Sequence, residues 1–228
     1  MGTRKLKKKD DTIIFDLDGT LYSFKGGKFR DSKLQAKILS NAREFISAQL
    51  QVTGDEAGKI LSRIFKKYGE DISIALEKEY GLNRYDYFNT VWNIPARQFV
   101  SHSKELRPML IRICKKYDIF ILSDAPKIWI DNVLRELQID DLFSGHIISG
   151  EGNTRKGNGN AFESLVKSLN IKPQQCIVVG DQENTDIIPA KNAGMKTILV
   201  SKKEILSSAD FRLKNIIHLE IALESLTL

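Results

Sequence analysis

The chain is poor in several residue types and patterns, and each shortage removes a class of protein. It has two cysteines, Cys114 and Cys176, and three histidines, His102, His146 and His218, with neither CxxC nor HExxH spacing among them. That argues against a zinc centre or a disulfide framework. Cys176 opens the apolar run CIVV and Cys114 sits in the helical-looking MLIRICKKY, so both read as buried core thiols. No apolar run approaches the roughly 18 to 20 residues that a bilayer span requires. The N-terminus also lacks the apolar segment and small-residue cleavage site of a secretory signal. The expectation is a soluble, cytoplasmic protein with no membrane partner. GxSxG and GxxxxGK[ST] are missing as well, and GNTRKGNGN is glycine-rich without a fitting spacing, so a serine hydrolase or a P-loop enzyme lacks its residues.

An excess of one charge is present but local. The formal net charge is +6, yet Arg4, Lys5, Lys7, Lys8 and Lys9 all precede the first acidic residue. Residues 10–228 therefore carry 30 basic against 29 acidic side chains, a nearly neutral body. The basic arm, residues 1–10, reads as a solvated tail, with a nucleic-acid or lipid-headgroup contact as the minority reading. With 42% hydrophobic and 28% charged residues the composition is globular and excludes disordered, collagen-like and coiled-coil classes. At 228 residues the chain exceeds the usual roughly 100 to 200 for one domain, which points to one large domain or to a core with an insertion.

Short apolar runs that end in small or acidic residues recur along the chain: TIIFD at 12–16, IFILSD at 119–124, HIIS at 146–149, IVVGD at 177–181 and TILVS at 197–201. Each reads as a buried strand. Helical patterns at 106–117, 128–137, 161–169 and 187–193 alternate with them, which predicts a Rossmann-like α/β core with a parallel sheet and helices on both faces. The rhythm breaks after the first strand. Leu34, Ile38, Ala42, Phe45 and Ile46 recur at helical spacing, as do Ile60, Leu61, Ile64, Phe65 and Tyr68, with Thr53 and Asp55 near the start of the second helix. The expected organisation is an α/β core of residues 11–23 and 104–228, interrupted by an all-helical insertion at 24–103.

Asp16 and Asp18 fall where the first strand ends and the chain turns at Gly19, and open parallel sheets bind ligands at that edge. Alone, Asp-x-Asp-Gly reads equally as a structural turn. Its company decides otherwise: Ser123 and Asp124 end a later strand, Lys156 precedes a helix, and Asp181 with Asp186 follow IVVG. In a parallel sheet these positions share one edge. A carboxylate-rich cluster with one lysine and one hydroxyl suits Mg²⁺ and a phosphoryl group, which makes metal-assisted phosphoryl transfer the leading reaction class.

With DLDGT at 16–20, ILSDA at 121–125, Lys156, and GDQENTDIIPAKNAGM at 180–195, the chain resembles the haloacid dehalogenase (HAD) superfamily from about Asp11 to about Ala222. One branch of that family carries a helical cap where the insertion lies here. Where capped members often have KPxPxxF, this chain has KGNGNAF, with Gly157 and Gly159 loosening the loop while Phe162 keeps its place six residues after Lys156. The resemblance implies that Asp16 is the nucleophile of an aspartyl-phosphate mechanism and that Asp18 is the general acid and base. It further implies Mg²⁺ on Asp16, the Asp18 carbonyl, Asp181 and Asp186, with Asp186 direct or through water. Ser123, Lys156 and backbone N–H groups near Gly19 and Asp124 would bind the phosphoryl group. An acid at Asp18 favours phosphomonoester hydrolysis over dehalogenation, and a phosphomutase uses the same pair.

The insertion looks similar to the cap of pyrimidine 5′-nucleotidase-like members, which directs the expectation to a nucleoside 5′-monophosphate, with phosphoglycolate or a sugar phosphate as the alternative. Tyr22, Phe24, Tyr85, Tyr87 and Phe88 are candidates for stacking on a base, although aromatics at such spacings more often pack, as Trp92 and Trp129 are expected to do. The expected partner is a small phosphorylated metabolite met by a monomer or homodimer, and nucleic acid is disfavoured. A phosphate- or nucleic-acid-binding module without chemistry is the non-enzymatic alternative.

Overall fold

The computed structural model describes residues 11–26, 29–152, 155–156 and 160–226. The basic arm, Gly157 and Gly159 lie outside the described residues. The chain divides into two compact units: one comprises the chain up to Ser23, His102–Lys127 and everything from Leu137 on, the other Phe24–Ser101 with Ile128–Glu136.

Strand β1 (Thr12–Phe15) is followed by β2 (Ser23–Phe24), which pairs with β3 (Val100–Ser101) in a two-stranded sheet. Between these short strands lie α1 (Lys33–Leu50), α2 (Gly54–Tyr68), α3 (Ile72–Tyr80) and α4 (Arg84–Val91). The helical stretch expected after the first strand thus carries this small strand pair at its ends. Helix α1 buries Leu34, Ile38, Ala42, Phe45 and Ile46, the stripe read from the sequence. Helix α2 opens on a capping box in which the Thr53 hydroxyl accepts from Glu56 N and the Glu56 carboxylate accepts from Thr53 N. Asn83 caps α4, and Tyr87 meets Phe45 edge-on. Trp92 stacks on Phe29, as expected of a packing residue.

The other unit is built on β1 with α5 (Leu106–Ile113), β4 (Asp118–Ser123), β5 (Ile147–Ser149), α7 (Ala161–Leu169), β6 (Cys176–Gly180), α8 (Ile188–Asn192), β7 (Lys196–Val200), β8 (Phe211–Leu213) and α9 (Leu219–Leu226); α6 (Lys127–Glu136) lies in sequence between β4 and β5. Nine of the ten α6 residues group with the helical unit, where Asn132 Nδ2 donates to Ile94 O at 3.2 Å. The six-stranded sheet runs in the order β5-β4-β1-β6-β7-β8 with every pair parallel. Strand β1 is central, so all four of its residues are buried, and a continuous apolar run is what such a position demands. Register pairs Phe15 with Ile121 and with Val179, which brings the carboxyl ends of β1, β4 and β6 level at one edge.

One face of the sheet, through Ile14, Leu122 and Val178, packs on Ala161, Phe162, Leu165 and Val166 of α7. Phe162 is fully buried there, worth about 1.5–3 kcal/mol. Cys176 is buried and Cys114 half-buried, and neither is in a disulfide. No helix among the described residues is long and apolar enough to cross a membrane.

Candidate active site

The carboxyl edge of the sheet collects the acidic residues because three strands stop there. Asp16 follows β1 directly and still continues the ladder, its N–H donating to Val179 O at 2.8 Å. The chain then turns tightly, with Thr20 N and Leu21 N both donating to Leu17 O. Gly19 sits in this turn at φ +96°, a left-handed conformation, and a Cβ there would run into the Asp181 carboxylate. A side chain at this position is excluded on both counts.

Asp16 is buried and its two oxygens are separately held. Oδ1 accepts from Lys156 Nζ at 2.5 Å and Oδ2 from the Thr20 hydroxyl at 2.7 Å. Lys156 Nζ also donates to Asp186 Oδ1 at 2.6 Å, so one buried ammonium bridges two buried carboxylates. Burial works against the lysine charge, but the carboxylates of Asp16 and Asp186 outweigh it and hold the Lys156 pKa above its ordinary value. Its backbone is fixed too: Lys156 N donates to Asp124 Oδ1 at 2.8 Å. Asp18 accepts from the Tyr22 hydroxyl and, at 3.2 Å, from Ser123 Oγ, while Ser123 Oγ itself accepts from Ala125 N at 3.1 Å.

Asp186 arrives by an unusual route. A π-helical turn, Glu183–Ile187, precedes α8, with Ile188 N donating to Glu183 O. Pro189 sits in the first turn of α8, where its missing N–H costs nothing. Within this turn Asp186 Oδ2 accepts from Gln182 N at 3.0 Å. Gly180 lets the turn close, since a Cβ there would collide with the Asp186 side chain.

Oxygen atoms of Asp16, Asp181 and Asp186 lie within 4.8 Å of one another. Three carboxylates against one ammonium leave the cluster short of positive charge. Burial, and then the carboxylates of Asp16 and Asp186, push the Asp181 pKa up to about 8. Burial and Asp16 likewise raise Asp186 to about 6. Asp181 Oδ1 is buried without a hydrogen-bond partner. A buried acceptor with no donor, among hard oxygen ligands and surplus negative charge, fits a divalent cation such as Mg²⁺.

Every residue expected at the site is therefore drawn to the same sheet edge: Asp16, Asp18, Gly19, Ser123, Asp124, Lys156, Asp181 and Asp186. Thr20 and Gly180 were not singled out in the sequence, and Tyr22, expected as a base-stacking candidate, instead donates its hydroxyl to Asp18. Thr20 and Tyr22 each stand four positions after the aspartate they bond, and that shared offset in a tight turn is the signal that could have found them. Of the aromatic candidates, Tyr22, Tyr87 and Phe88 are buried, Phe24 lies beside Phe29, and Tyr85 is 53% exposed. Trp129 is buried, in keeping with a packing role.

Comparison with known proteins identifies the family. The family model for haloacid dehalogenase-like hydrolases matches residues 11–194. Glyceraldehyde 3-phosphate phosphatase of Pyrococcus furiosus is 32% identical over 82% of this chain and 78% of its own length. N-acylneuraminate-9-phosphatase of Homo sapiens is 22% identical over 83% of this chain and 82% of its own. Among solved structures, a HAD phosphatase from Thermococcus onnurineus shares the fold with a TM-score of 0.62 at 20% identity, covering 93% of this chain and 97% of that one. The chain therefore belongs to the haloacid dehalogenase-like hydrolases, among the phosphatases of that family.

Proposed function

We propose that this phosphatase hydrolyses a small sugar phosphate through an aspartyl-phosphate on Asp16. The observation that carries the chemistry is the Asp16–Lys156–Asp186 bridge with Asp181 beside it and Asp18 two residues on. Lys156 orients the Asp16 carboxylate toward a phosphoryl group and offsets its charge. Asp18 donates a proton to the leaving oxygen and later takes one from the attacking water, and the hydroxyls of Tyr22 and Ser123 hold it in place for both steps. Ser123 and the backbone N–H groups around Gly19 and Asp124 receive the phosphoryl oxygens. Bound by Asp16, the Asp18 carbonyl, Asp181 and Asp186, Mg²⁺ would supply the positive charge that phosphoryl transfer needs.

The names of the relatives favour a sugar phosphate: glyceraldehyde 3-phosphate phosphatases recur among them, from Pyrococcus furiosus to Methanocaldococcus jannaschii, beside the N-acylneuraminate-9-phosphatases. Support for a nucleoside 5′-monophosphate narrows to Phe24 and Tyr85, because Tyr22, Tyr87 and Phe88 are at most 4% exposed and offer no ring face for stacking. Residues 24–103 serve as the cap that selects the leaving group. Cys114 and Cys176, neither in a disulfide, fit a reducing, cytoplasmic setting.

The test is a comparison of kcat/KM, in Mg²⁺, for glyceraldehyde 3-phosphate, glucose 6-phosphate, phosphoglycolate, and uridine and cytidine monophosphates. A sugar phosphate is expected to lead the nucleotides by at least about tenfold, the scale on which pocket shape discriminates. A lead by either nucleotide overturns the sugar-phosphate reading, and full activity in excess chelator overturns the site.

A further inference from the structure

Glu183 lies two residues after Asp181 and opens the π-helical turn that carries Asp186, and its side chain is held by a different segment. Its carboxylate accepts three hydrogen bonds from one loop: from Ser207 Oγ at 2.6 Å, Ser208 N at 2.7 Å and Ser208 Oγ at 2.7 Å. That loop, residues 201–210, connects β7 to β8 and is tied at both ends. At one end Ser201 N donates to Leu213 O at 2.8 Å. At the other the Asp210 carboxylate accepts from Thr197 N at 2.8 Å, Thr197 Oγ1 at 2.9 Å and Lys191 Nζ of α8 at 2.7 Å. Ala209 N closes the tip by donating to Ser207 Oγ at 3.0 Å. The loop is a fixed support, and Glu183 is the point at which the π-helical turn rests on it.

We propose that Glu183, gripped by Ser207 and Ser208, is a positioning residue that fixes the π-helical turn and thereby sets Asp186 against Lys156. The inference rests on the functional reading above, because it assigns Asp186 to the site. The physical argument is one of over-determination. A single π-helical turn holds poorly by its own backbone bonds and persists where its surroundings impose it. Here Gly180 permits the turn and Pro189 resumes the α-helix after it, but neither prevents residues 183–187 from relaxing outward. Three bonds on the first residue of the turn do. Because Asp186 shares Lys156 with Asp16, any relaxation of the turn reaches the nucleophile through one lysine. Contacts that orient metal ligands typically alter metal affinity or activity by about 10- to 100-fold, and Glu183, which acts on Asp186 through the turn between them, is expected at the lower end.

Glu183→Gln keeps the shape of the side chain but removes its charge and turns one acceptor oxygen into a donor, so the charge-assisted bond from a serine hydroxyl is lost or reversed. The variant is compared with wild type by calorimetric titration of the metal-free protein with Mg²⁺, and by kcat and KM for p-nitrophenyl phosphate at saturating Mg²⁺. The expected result is Mg²⁺ binding weakened roughly tenfold, with kcat and kcat/KM falling together and KM unchanged, the mark of a misplaced reacting group. Ser207→Ala combined with Ser208→Ala, which leaves the backbone donor, is expected to move both readouts in the same direction and less far. Should Glu183→Gln not fold, this double variant decides by the same two measurements. Mg²⁺ affinity and kcat at wild-type values in a folded variant overturn the inference alone. Wild-type protein that neither binds Mg²⁺ nor cleaves the ester overturns both the inference and the functional reading beneath it.

Discussion

Asp16 has both carboxylate oxygens occupied, one by an ammonium and one by a hydroxyl, and in the proposed mechanism this gives the nucleophile a fixed direction. Asp16→Asn is expected to abolish turnover while the fold persists, checked by activity and by circular dichroism. Asp18→Asn is expected to cut phosphoryl transfer by about 10²- to 10⁴-fold, the range of a lost general acid. The carboxylates also set a pH dependence in chelator. Asp181 and Asp186 have folded-state pKa values of about 8 and about 6, both raised chiefly by burial and then by neighbouring carboxylates. For an acid raised in this way, the folded state binds the proton more tightly than the unfolded state between the two pKa values. Stability present below about pH 4 is therefore lost as pH rises toward about 8. Urea unfolding across that range should show the decline, and Asp181→Asn should flatten its upper part. At this scale the sequence was most readable where charge meets a strand end, as at Asp16 and Asp181. It was silent on Thr20 and offered Tyr22 only as a ring for stacking, because a hydroxyl in a turn has many partners available and only the fold selects one.

Elements were legible where an apolar run was long and continuous. Strands β1, β4, β6 and β7 and helix α7 fall at or within a residue or so of their expected places. Strand β8 was missed because FRL puts Arg212 between two apolar residues and is too short to show a period. The helix expected to reach Tyr117 stops at Ile113, where Lys115 N and Lys116 N turn back to Arg112 O and Ile113 O before β4 begins. The π-helical turn was invisible because GDQENTD carries no periodic apolar signal, and its geometry comes from Gly180 and from the Ser207–Ser208 loop. Gly180→Ala tests the end of β6 as an element. The added methyl meets the Asp186 side chain, so stability to urea is expected to fall by about 1–3 kcal/mol and activity to fall with it. An alanine enzyme with wild-type activity would show that the strand end has room to shift.

At the scale of the whole molecule, fold class and the convergence of the site on one sheet edge could be read from the order of the runs. The strand order could not, because parallel neighbours carry no local pairing signal. That order places β1 between strands made much later: Thr12 pairs with Asp118 and with Cys176. Asp16 and Lys156 are 140 residues apart along the chain. Such closures are entropically expensive and slow to form. Metal therefore has nowhere to bind until folding is nearly done, so Mg²⁺ at about 100 times its Kd should slow unfolding by roughly 100-fold and leave the refolding rate unchanged in stopped-flow traces. Synthesis feels the same separation. At about 5–20 residues per second, a ribosome releases Lys156 roughly 7 to 28 s after Asp16. Until then a nascent chain displays the proposed nucleophile without the cation that aims it, so on this mechanism catalytic power arrives in one late step instead of accumulating as the chain grows.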